Sequence, residues 1–359
     1  MTAYAFGNGA PFSVGIEEEL LLVDREAHEL AHVADEVLPR MNVPESSAGY
    51  EAYRAEVELR SAARPSADQA ADDLRDLRGH ARAAGAVLLG MGVHPSAELG
   101  DVLLTDRDRY RLLEENMRGL VRRTPECALH VHVGMPDAGS AIRAYNGLRE
   151  HLPLLQGLSA NSPFWFGMDS GLQSARYALT RSFPPRGVPR PLRDMTEWEE
   201  VTAAAVSAGG YVDYTSLTWD LRLHPRLGTV EMREMDAQTR IEDVAALGAL
   251  VQALAAAVVE REHPDPSPSE ALGEAAFRAA RDGISSRVPH DGRIVTLREA
   301  ARAALEEAGP RARELGSEAA LEGIERIVRE GCGAQRRRAA HAGGGMSALL
   351  EEAVGETAA

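Results

Sequence analysis

The chain has 359 residues and a hydrophobic fraction of 44%, which suits one large domain or two ordinary ones with a sizeable core. Lys+Arg 39 against Asp+Glu 55 gives a formal net charge of −16. This acidic balance argues against a general nucleic-acid binder, whose phosphate contacts need a basic surface.

All 39 basic residues are arginine, and the sequence contains no lysine. A P-loop needs the lysine of its GxxxxGK[ST] motif, and pyridoxal-phosphate enzymes need a lysine for their Schiff base. Both classes are therefore excluded. Arginine side chains and metal ions are the groups left for holding a phosphate.

The cysteine pattern and the first residues indicate the cytoplasm. Cys127 and Cys332 form neither a CxxC unit nor a disulfide framework, which suits a reducing compartment. The segment Met1–Phe12 lacks the basic start and apolar stretch of a signal peptide. No window has 18 uninterrupted apolar residues, so we expect no membrane span.

The first half of the chain is predicted to alternate strands with helices. In chain order we expect a strand over Val14–Val23, a strand over Tyr50–Leu59, a helix over Ser66–Leu89, a helix over Tyr110–Arg122, a strand over Ala128–Gly134 and a helix over Ser140–Leu158. Ser66 and Gln69 have the spacing of a capping box, which favours a helix start there.

The second half is predicted to be mostly helical. We expect strands over Thr218–Leu223 and Gly228–Met235, followed by a long apolar helix that is capped by Thr239 and Glu242 and ends before Pro264. A turn-rich linker is expected over His263–Ser269, and solvated helices over Ala271–Val328. A break is expected at Gly343–Gly345 and a mobile tail over residues 351–359. The strands lack a regular βαβ rhythm, so the predicted fold class is α+β.

Ligand-capable side chains recur in pairs on three predicted strands. Residues i and i+2 of a strand share a face, and the pairs are Glu17 with Glu19, His130 with His132, and Glu231 with Arg233. Val230, Met232 and Glu234 are expected on the opposite face of the third strand. A further acidic contribution is predicted from Glu58, with Glu51 and Glu56. One such pair is typical of the wet face of a sheet, but three favour a metal site.

The chemistry of this set indicates divalent cations and phosphate. Burying several carboxylates on one face costs many kcal/mol unless cations neutralise them. Oxygen-rich sites that include an imidazole suit Mg²⁺ or Mn²⁺. Arg233 next to Glu231 would offer a metal-bound phosphate a planar, bidentate donor, and Arg222 and Arg176 are further candidates. For each arginine the alternative is a surface ion pair.

Four segments resemble motifs of the carboxylate-amine ligases, the glutamate–cysteine ligase type 2 family. They are GIEEELLLVD, ALHVHVGMPD, LSANSPFWFGMDSGLQSARY and TWDLRLHPRLGTVEMREMDAQ, and their order and spacing agree from about Phe12 to Glu260. The resemblance implies a catalytic domain similar to glutamine synthetase over residues 1–350, with a curved antiparallel sheet backed by helices. It also implies that metal-binding glutamates line that sheet.

The resemblance also implies roles for individual residues. It places metal ligands at Glu17, Glu19, Glu51, Glu58, His132 and Glu231, a residue near the nucleotide phosphates at Arg233, and the segment that helps to shape the substrate region at Asn161–Trp165 and Arg176. We further assign Arg222, Arg176 and His130 to cofactor binding, and Arg233 and Glu231 to catalysis. Arg60–Ala63, Leu129, Leu172 and Gln173 depart from the family pattern. These departures leave the metal residues intact and the substrate open.

The expected function is therefore an ATP-dependent ligase that forms an amide through an acyl phosphate, with ATP and Mg²⁺ or Mn²⁺ as cofactors. Glutamate and cysteine are the family's default carboxylate and amine, and a specialised amide synthetase of secondary metabolism stays open. The runner-up is a hydrolase that uses His130 and His132 on zinc. A non-catalytic binding protein with a ligase fold is a third hypothesis. We expect no nucleic-acid or membrane partner, and a homodimer stays open.

Overall fold

The structure, a computed structural model, describes residues 4–184, 186–261 and 265–359. Its strands are β1 (Val14–Val23), β2 (Ala48–Tyr50), β3 (Glu56–Arg60), β4 (Val87–Leu89), β5 (Ala128–Gly134), β6 (Phe164–Trp165), β7 (Met168–Asp169), β8 (Leu221–His224), β9 (Thr229–Asp236), β10 (Arg287–His290) and β11 (Arg293–Thr296).

Helices fill the connections and the last third of the chain. They are α1 (Ala34–Val37), α2 (Ala67–Ala83), α3 (Asp108–Met117), α4 (Ala138–Arg149), α5 (Leu152–Ser159), α6 (Ala175–Thr180), α7 (Met195–Gly209), α8 (Ile241–Val258), α9 (Ser269–Asp282), α10 (Leu297–Leu315), α11 (Glu318–Leu321), α12 (Gly323–Glu330) and α13 (Gly333–Ala358). Short 3₁₀ turns lie at Leu38–Arg40, Arg118–Arg122, Tyr214–Ser216 and Gly283–Ser285.

One antiparallel sheet organises the described part of the chain. Its strands run in the order β2-β3-β1-β5-β9-β8, and β4 pairs with the end of β1. In the first half of β1 and in β3 and β5, apolar residues alternate with polar ones, so that one face packs on helices and the other carries ligand-capable side chains. This mixture of helices with an open antiparallel sheet confirms the predicted α+β class.

Helix α8 forms the centre of the core behind the sheet. Its sides pack against α2, α4, α10 and α11. It is long and apolar enough to cross a membrane, with a mean hydropathy of 1.7, but 89% of it is buried inside the structure. Its apolar circumference is therefore explained by burial within the protein.

Several predicted helices are shorter in the structure. The helix predicted to reach Leu89 ends at Ala83, because Gly85 takes a positive φ of 100° and the chain then joins the sheet as β4. The helix predicted over Ser140–Leu158 divides into α4 and α5, the second beginning with Pro153 in its first turn. Ser66 accepts a hydrogen bond from the Gln69 N–H at 3.5 Å, as half of the predicted capping box.

Other predictions differ at turns and caps. The strand predicted over Tyr50–Leu59 divides into β2 and β3, and the region predicted as solvated helices contains the hairpin β10–β11. That hairpin turns at Asp291 and Gly292, which both have positive φ, a common hairpin pair. Thr239 does not cap α8, because its hydroxyl donates to Glu356 instead at 2.8 Å. Residues 263–264 of the predicted linker lie outside the described residues.

The last helix runs through the segment predicted as a tail. Gly344 and Gly345 interrupt the helical geometry of α13, in agreement with the predicted break at Gly343–Gly345. The helix then resumes, Thr357 is buried, and Glu356 accepts a hydrogen bond from Arg337 at 2.6 Å. The predicted boundary at residue 350 lies inside this packed helix.

A buried ion pair joins the sheet to the helices. Glu18 lies on the helix side of β1, where Arg78 of α2 donates to both of its carboxylate oxygens at 2.8 and 2.6 Å. Arg78 also donates to the backbone carbonyls of Gln238 and Thr239 at 3.0 and 2.7 Å. The pair therefore ties β1 and α2 to the segment that enters α8.

Replacing Arg78 by leucine should lower the free energy of unfolding by about 3–5 kcal/mol, because the Glu18 carboxylate would be left buried and unpaired. Chemical denaturation measures this change. Arg75→Leu, on the exposed side of the same helix, serves as the control and should cost less than about 1 kcal/mol. Equal losses for the two variants would contradict a structural role for the pair.

Candidate active site

The register of the central strands brings the predicted pairs together on one sheet face. Glu19 lies opposite Glu58 on β3, and Glu17 lies opposite His130 on β5. His132 lies opposite Glu231 on β9. A continuous polar stripe therefore crosses four strands, as the two-residue spacing predicted.

Glu17, His132 and Glu231 form the first candidate cation group. One ligand atom from each lies within 4.8 Å of the others, and the Nε2 atom of His132 lies 3.6 Å from a carboxylate oxygen of both Glu17 and Glu231. Its Nδ1 atom forms a 3.0 Å hydrogen bond with the Thr229 hydroxyl, which orients the ring. The buried Nε2 has no hydrogen-bond partner and fits a divalent cation.

Glu19, Glu51 and Glu58 form the second candidate cation group, again with one oxygen of each within 4.8 Å of the others. Glu51 comes from the loop between β2 and β3. Glu58 also groups with Glu17 and His130, so that the two groups are adjacent. Hard oxygen ligands of this kind suit Mg²⁺ or Mn²⁺.

Two carboxylates of the second group, Glu51 and Glu58, resist ionisation. Burial, followed by repulsion from Glu19, raises the pKa of Glu51 to about 7. Burial and the nearby Glu17 and Glu51 carboxylates raise the pKa of Glu58 to about 8, although Arg60 opposes this. Cations would remove both the desolvation cost and the repulsion.

The first group has the opposite electrostatics. Burial alone would raise the pKa of Glu17, but His132 and His130 outweigh it and hold that pKa well below its ordinary value. Burial favours the neutral ring of His132, yet the Glu231 and Glu17 carboxylates raise the His132 pKa. The pKa of His130 is lowered by burial and by Arg233, which leaves a neutral imidazole that can act as a ligand.

Two arginines fix Glu231. Arg222 on β8 donates through Nε and Nη2 to its two oxygens at 2.8 and 3.2 Å, and through Nη1 to the Thr215 carbonyl at 2.7 Å. Arg233 contacts the same carboxylate. Burial would raise the pKa of Glu231, but Arg233 and Arg222 hold it far below its ordinary value. The Nε, Nη1 and Nη2 groups of Arg222 therefore all donate to protein acceptors, whereas the Nε of Arg233 has no hydrogen-bond partner.

A β-bulge changes the predicted alternation on β9. The pairing of β5 with β9 shifts between Leu129 and Val131, and Met232 and Met235 both belong to the core. Two residues, Arg233 and Glu234, therefore lie between consecutive core positions. The expectation that Glu234 shares the apolar face with Met232 is wrong, since an extra residue in one strand breaks the period of two.

Asp236, which the sequence patterns did not single out, organises the segment predicted to shape the substrate region. It accepts hydrogen bonds from the Ser162 and Ser174 hydroxyls at 2.7 and 2.9 Å and from the Asn161 N–H at 2.9 Å. Arg176 of α6 lies 3.7 Å from Asp236 and donates to the Glu234 carbonyl at 2.9 Å. Asn161 thus bonds to the backbone carbonyls of Gly90 and Ala237, and Arg176 is held at the site.

A cleft of about 590 Å³ opens beside the second cation group. The predicted residues that line it are Glu19, Glu51, Glu56, His130, Arg176 and Arg233. The others, Glu17, Glu58, His132, Glu231 and Arg222, complete the polar stripe without lining the cleft. The stripe therefore has one end in the cleft and one end beyond it.

Glu126 and Arg186 are among the charged cleft residues that escaped the sequence patterns. Glu126 precedes β5 and Arg186 lies in the loop after α6, and neither sits on a strand whose alternation could have indicated its direction. Burial raises the pKa of Glu126 to about 7, although Arg186 and Arg123 oppose this. The cleft therefore holds both signs of charge.

The fold is shared with glutamate–cysteine ligases and glutathione synthetases. A Francisella tularensis glutamate–cysteine ligase, solved in complex with AMP, aligns with a TM-score of 0.72 and 13% identity over 96% of this chain and 89% of that one. A bifunctional glutathione synthetase from Pasteurella multocida aligns with a TM-score of 0.67 and 13% identity over 96% of this chain and 52% of that one.

The chain belongs to glutamate–cysteine ligase family 2, whose model matches residues 13–352. A Rubrobacter xylanophilus protein provisionally named glutamate–cysteine ligase 2-1 is 36% identical over 346 residues, which cover 93% of this chain and 91% of that protein. A Micrococcus luteus protein provisionally named glutamate–cysteine ligase 2 is 34% identical over 93% of this chain and 88% of that protein. The family resemblance is therefore confirmed.

Without divalent cations, stability should fall as the pH rises from about 5 to 9. The folded-state pKa values of Glu51 and Glu58 are about 7 and 8, above the ordinary 4.5. The folded protein therefore binds more protons, and the resulting stabilisation is complete at low pH and lost as the pH rises through those values. Calorimetric melting in a chelator measures the trend.

Mn²⁺ should raise the melting temperature more at pH 8 than at pH 5.5, because a cation and a proton compete for the same carboxylates. Glu58→Gln should flatten the pH dependence seen in the chelator. An identical pH profile for wild type and this variant would contradict the assigned environment of Glu58.

Proposed function

We propose that the protein is an ATP-dependent ligase that joins a carboxylate to an amine through an acyl phosphate, with Mg²⁺ or Mn²⁺. The observation that carries the proposal is the pair of adjacent carboxylate groups on one sheet face, with Arg233 beside both. Membership of a ligase family and the AMP complex of a structural neighbour support it.

The reaction explains why one site needs so many charges. A carboxylate does not react with an amine at neutral pH, since its leaving group would be oxide. Transfer of a phosphoryl group to the carboxylate supplies a better leaving group, and the amine then displaces phosphate. A triphosphate and a carboxylate must first be held together, which requires a set of fixed positive charges.

The residues divide this work by position. Glu17, His132 and Glu231 would hold the cation at the nucleotide phosphates, and Glu19, Glu51 and Glu58 would hold cation charge next to the cleft. Bound Mg²⁺ supplies Lewis-acid neutralisation of phosphate oxygens. Arg233 has a side chain that is only 13% exposed, contacts Glu231 and lines the cleft. Its free Nε suits the phosphoryl group as it moves between the two groups.

The other assigned arginines act at different distances from the reaction. Arg176 lines the cleft, so it can contact a bound molecule there. Arg222 does not line the cleft, and its donors to Glu231 and Thr215 make it a positioning residue for Glu231. His130 faces Glu17 at 3.6 Å and Glu19 at 3.9 Å and can serve either cation group.

The geometry disfavours a zinc hydrolase that uses both histidines. Within the described residues, each candidate cation group contains at most one histidine, and the remaining ligands are carboxylates. Glu17 stands between the two rings, 3.6 Å from each. Catalytic zinc sites favour two or three nitrogen or sulfur ligands on one ion, so the hydrolase leaves most of this stripe unexplained.

Glutamate as the carboxylate and cysteine as the amine are the substrates that the family name suggests. The measurement that tests the ligase is ADP release with Mg²⁺, ATP and a panel of carboxylates that begins with glutamate. Hydroxylamine, a small nucleophile, should trap the acyl phosphate as a hydroxamate. Absence of both ADP and hydroxamate across the panel would reject the ligase.

Glu17→Gln should lower hydroxamate formation by about 100-fold or more, because it removes a cation ligand that both histidines face. Circular dichroism checks that the variant is folded. Glu26→Gln, at an exposed turn after β1, is the matched control and should keep wild-type activity. Wild-type turnover by a folded Glu17→Gln variant would remove Glu17 from the site.

Arg233→Lys should lower kcat by about 100-fold and change KM for the carboxylate much less, because lysine keeps the charge but loses the planar fork. Steady-state kinetics separates the two constants. The alternative role is an ion pair that only stabilises Glu231. A normal kcat with a lower melting temperature would favour that alternative.

A further inference from the structure

One wall of the cleft is apolar and rigidly held. It is formed by α3, the 3₁₀ turn that follows it and the loop after α6, and its apolar members are Tyr53, Leu113, Met117, Val121 and Phe183. The Tyr53 hydroxyl donates to the Val121 carbonyl at 2.7 Å, which fixes the wall against the β2–β3 loop. Such a wall favours a ligand with a large apolar group.

Arg186 lies next to this wall and has no direct ion-pair partner among the described residues. Its N–H donates to the Phe183 carbonyl at 3.0 Å, so the two side chains leave one tight turn. Among the described residues its guanidinium forms neither a hydrogen bond nor an ion pair, and its buried Nε has no partner. Arg176 and Arg233 line the same cleft. Burial and the positive charge of Arg176 lower the pKa of Arg186 to about 10.

The two acids whose charge reaches Arg186, Glu126 and Asp220, are each held by another arginine. Glu126 pairs with Arg123 at 3.0 Å, and Arg123 in turn lies 5.0 Å above the Phe183 ring. Asp220 is likewise held by Arg181, with two contacts of 2.7 Å. A cation that is buried beside an apolar wall, with its protein acids otherwise engaged, is arranged for an anion on a ligand.

Part of the proposed nucleotide site borders this cleft, since Arg233, Arg176 and His130 line it. The proposed phosphate cation group of Glu17, His132 and Glu231 does not line it, so we assign the position next to Arg186 to the other ligand. The cleft instead adjoins Glu19 and Glu51, where the activated carboxylate would face an incoming amine. At about 590 Å³ it falls in the size range of drug-sized ligands, which leaves the apolar wall uncovered when the amine is as small as cysteine.

We propose that the amine substrate is an α-amino acid with a large apolar side chain, whose carboxylate pairs with Arg186 while the side chain covers the wall of Leu113, Met117, Val121 and Phe183. This inference rests on the proposed ligase function and names the substrate class of its second step. The amine displaces phosphate from the acyl phosphate, forms the C–N bond and gives up one proton.

Isothermal titration calorimetry with the full chain, in Mg²⁺ and ADP, tests the binding mode with three probes. L-Phenylalanine should bind at least about 10-fold more tightly than L-cysteine, because it covers more apolar surface. Phenethylamine has the same ring and amine without the carboxylate, and should bind about 10-fold or more weakly than phenylalanine. Equal affinities of phenylalanine and cysteine would overturn the inference.

Variants of Arg186 assign the carboxylate contact. Arg186→Gln should weaken phenylalanine binding to the level of phenethylamine and leave phenethylamine binding unchanged. Arg190→Gln, in the same loop but exposed and paired with Glu197, is the matched control and should bind both probes as wild type does. If Arg186→Gln weakens both probes equally, or neither, the carboxylate contact is wrong.

A variant of the apolar wall gives a second readout that does not depend on Arg186. Leu113→Trp fills the cleft from a half-buried position on α3, and should weaken phenylalanine binding at least about 10-fold while sparing cysteine. Unchanged phenylalanine affinity in this folded variant would place the side chain elsewhere.

Hydroxylamine separates failure of this inference from failure of the ligase. Hydroxamate formation needs only the carboxylate and ATP. If hydroxamate forms while phenylalanine binds no better than cysteine, the ligase stands and the substrate class falls. If phenylalanine binds as expected and no carboxylate yields hydroxamate or ADP, the cleft is an amino-acid site but the ligase and the amine role both fall.

Discussion

The central constraint in this protein is the concentration of negative charge on one face of its sheet. Five glutamates approach one another there within the distances of two cation sites, and burial makes each ionised carboxylate costly. The protein itself compensates only part of this charge. Arg222 and Arg233 neutralise Glu231, and Arg60 contacts Glu58, whereas the Glu19–Glu51 side is left for cations.

That division of charge also shapes the chemistry. At one end of the stripe, histidine and arginine keep Glu17 and Glu231 ionised, so a ligand set is ready at neutral pH. At the other end, Glu51 and Glu58 carry raised pKa values and ionise together with cation binding. In the proposed reaction, the positive charge that holds the two anionic reactants would come first from the protein and then from bound cations.

The strand pairs were predictable because their signal is local. Alternation along β1, β5 and β9 decides which side chains share a face, and antiparallel pairing then brings Glu17, His130 and His132 together. The bulge that interrupts the alternation at Glu234 was not predictable, since it depends on the register of the neighbouring strand. Arg186 lies in a loop, where no period indicates the direction of a side chain.

Errors in the predicted elements have similar causes. Thr239 has the composition of a helix cap, but a partner more than a hundred residues away, Glu356, takes its hydroxyl. Gly85 ends α2 through a backbone conformation that composition only suggests. Long-range contacts and backbone geometry thus determine these helix ends and caps, which local sequence patterns do not predict.

The loop between β2 and β3 joins two functions in one short segment. It carries Glu51, which belongs to the second cation group, and Tyr53, which is bonded to the apolar wall through Val121. A ligand that orders this loop at the cation group would lower the entropy cost of ordering it for a ligand at the apolar wall, and the converse would also hold. Under the proposed function, cation affinity and substrate affinity would be thermodynamically coupled, and by reciprocity each bound species would strengthen the binding of the other by the same factor.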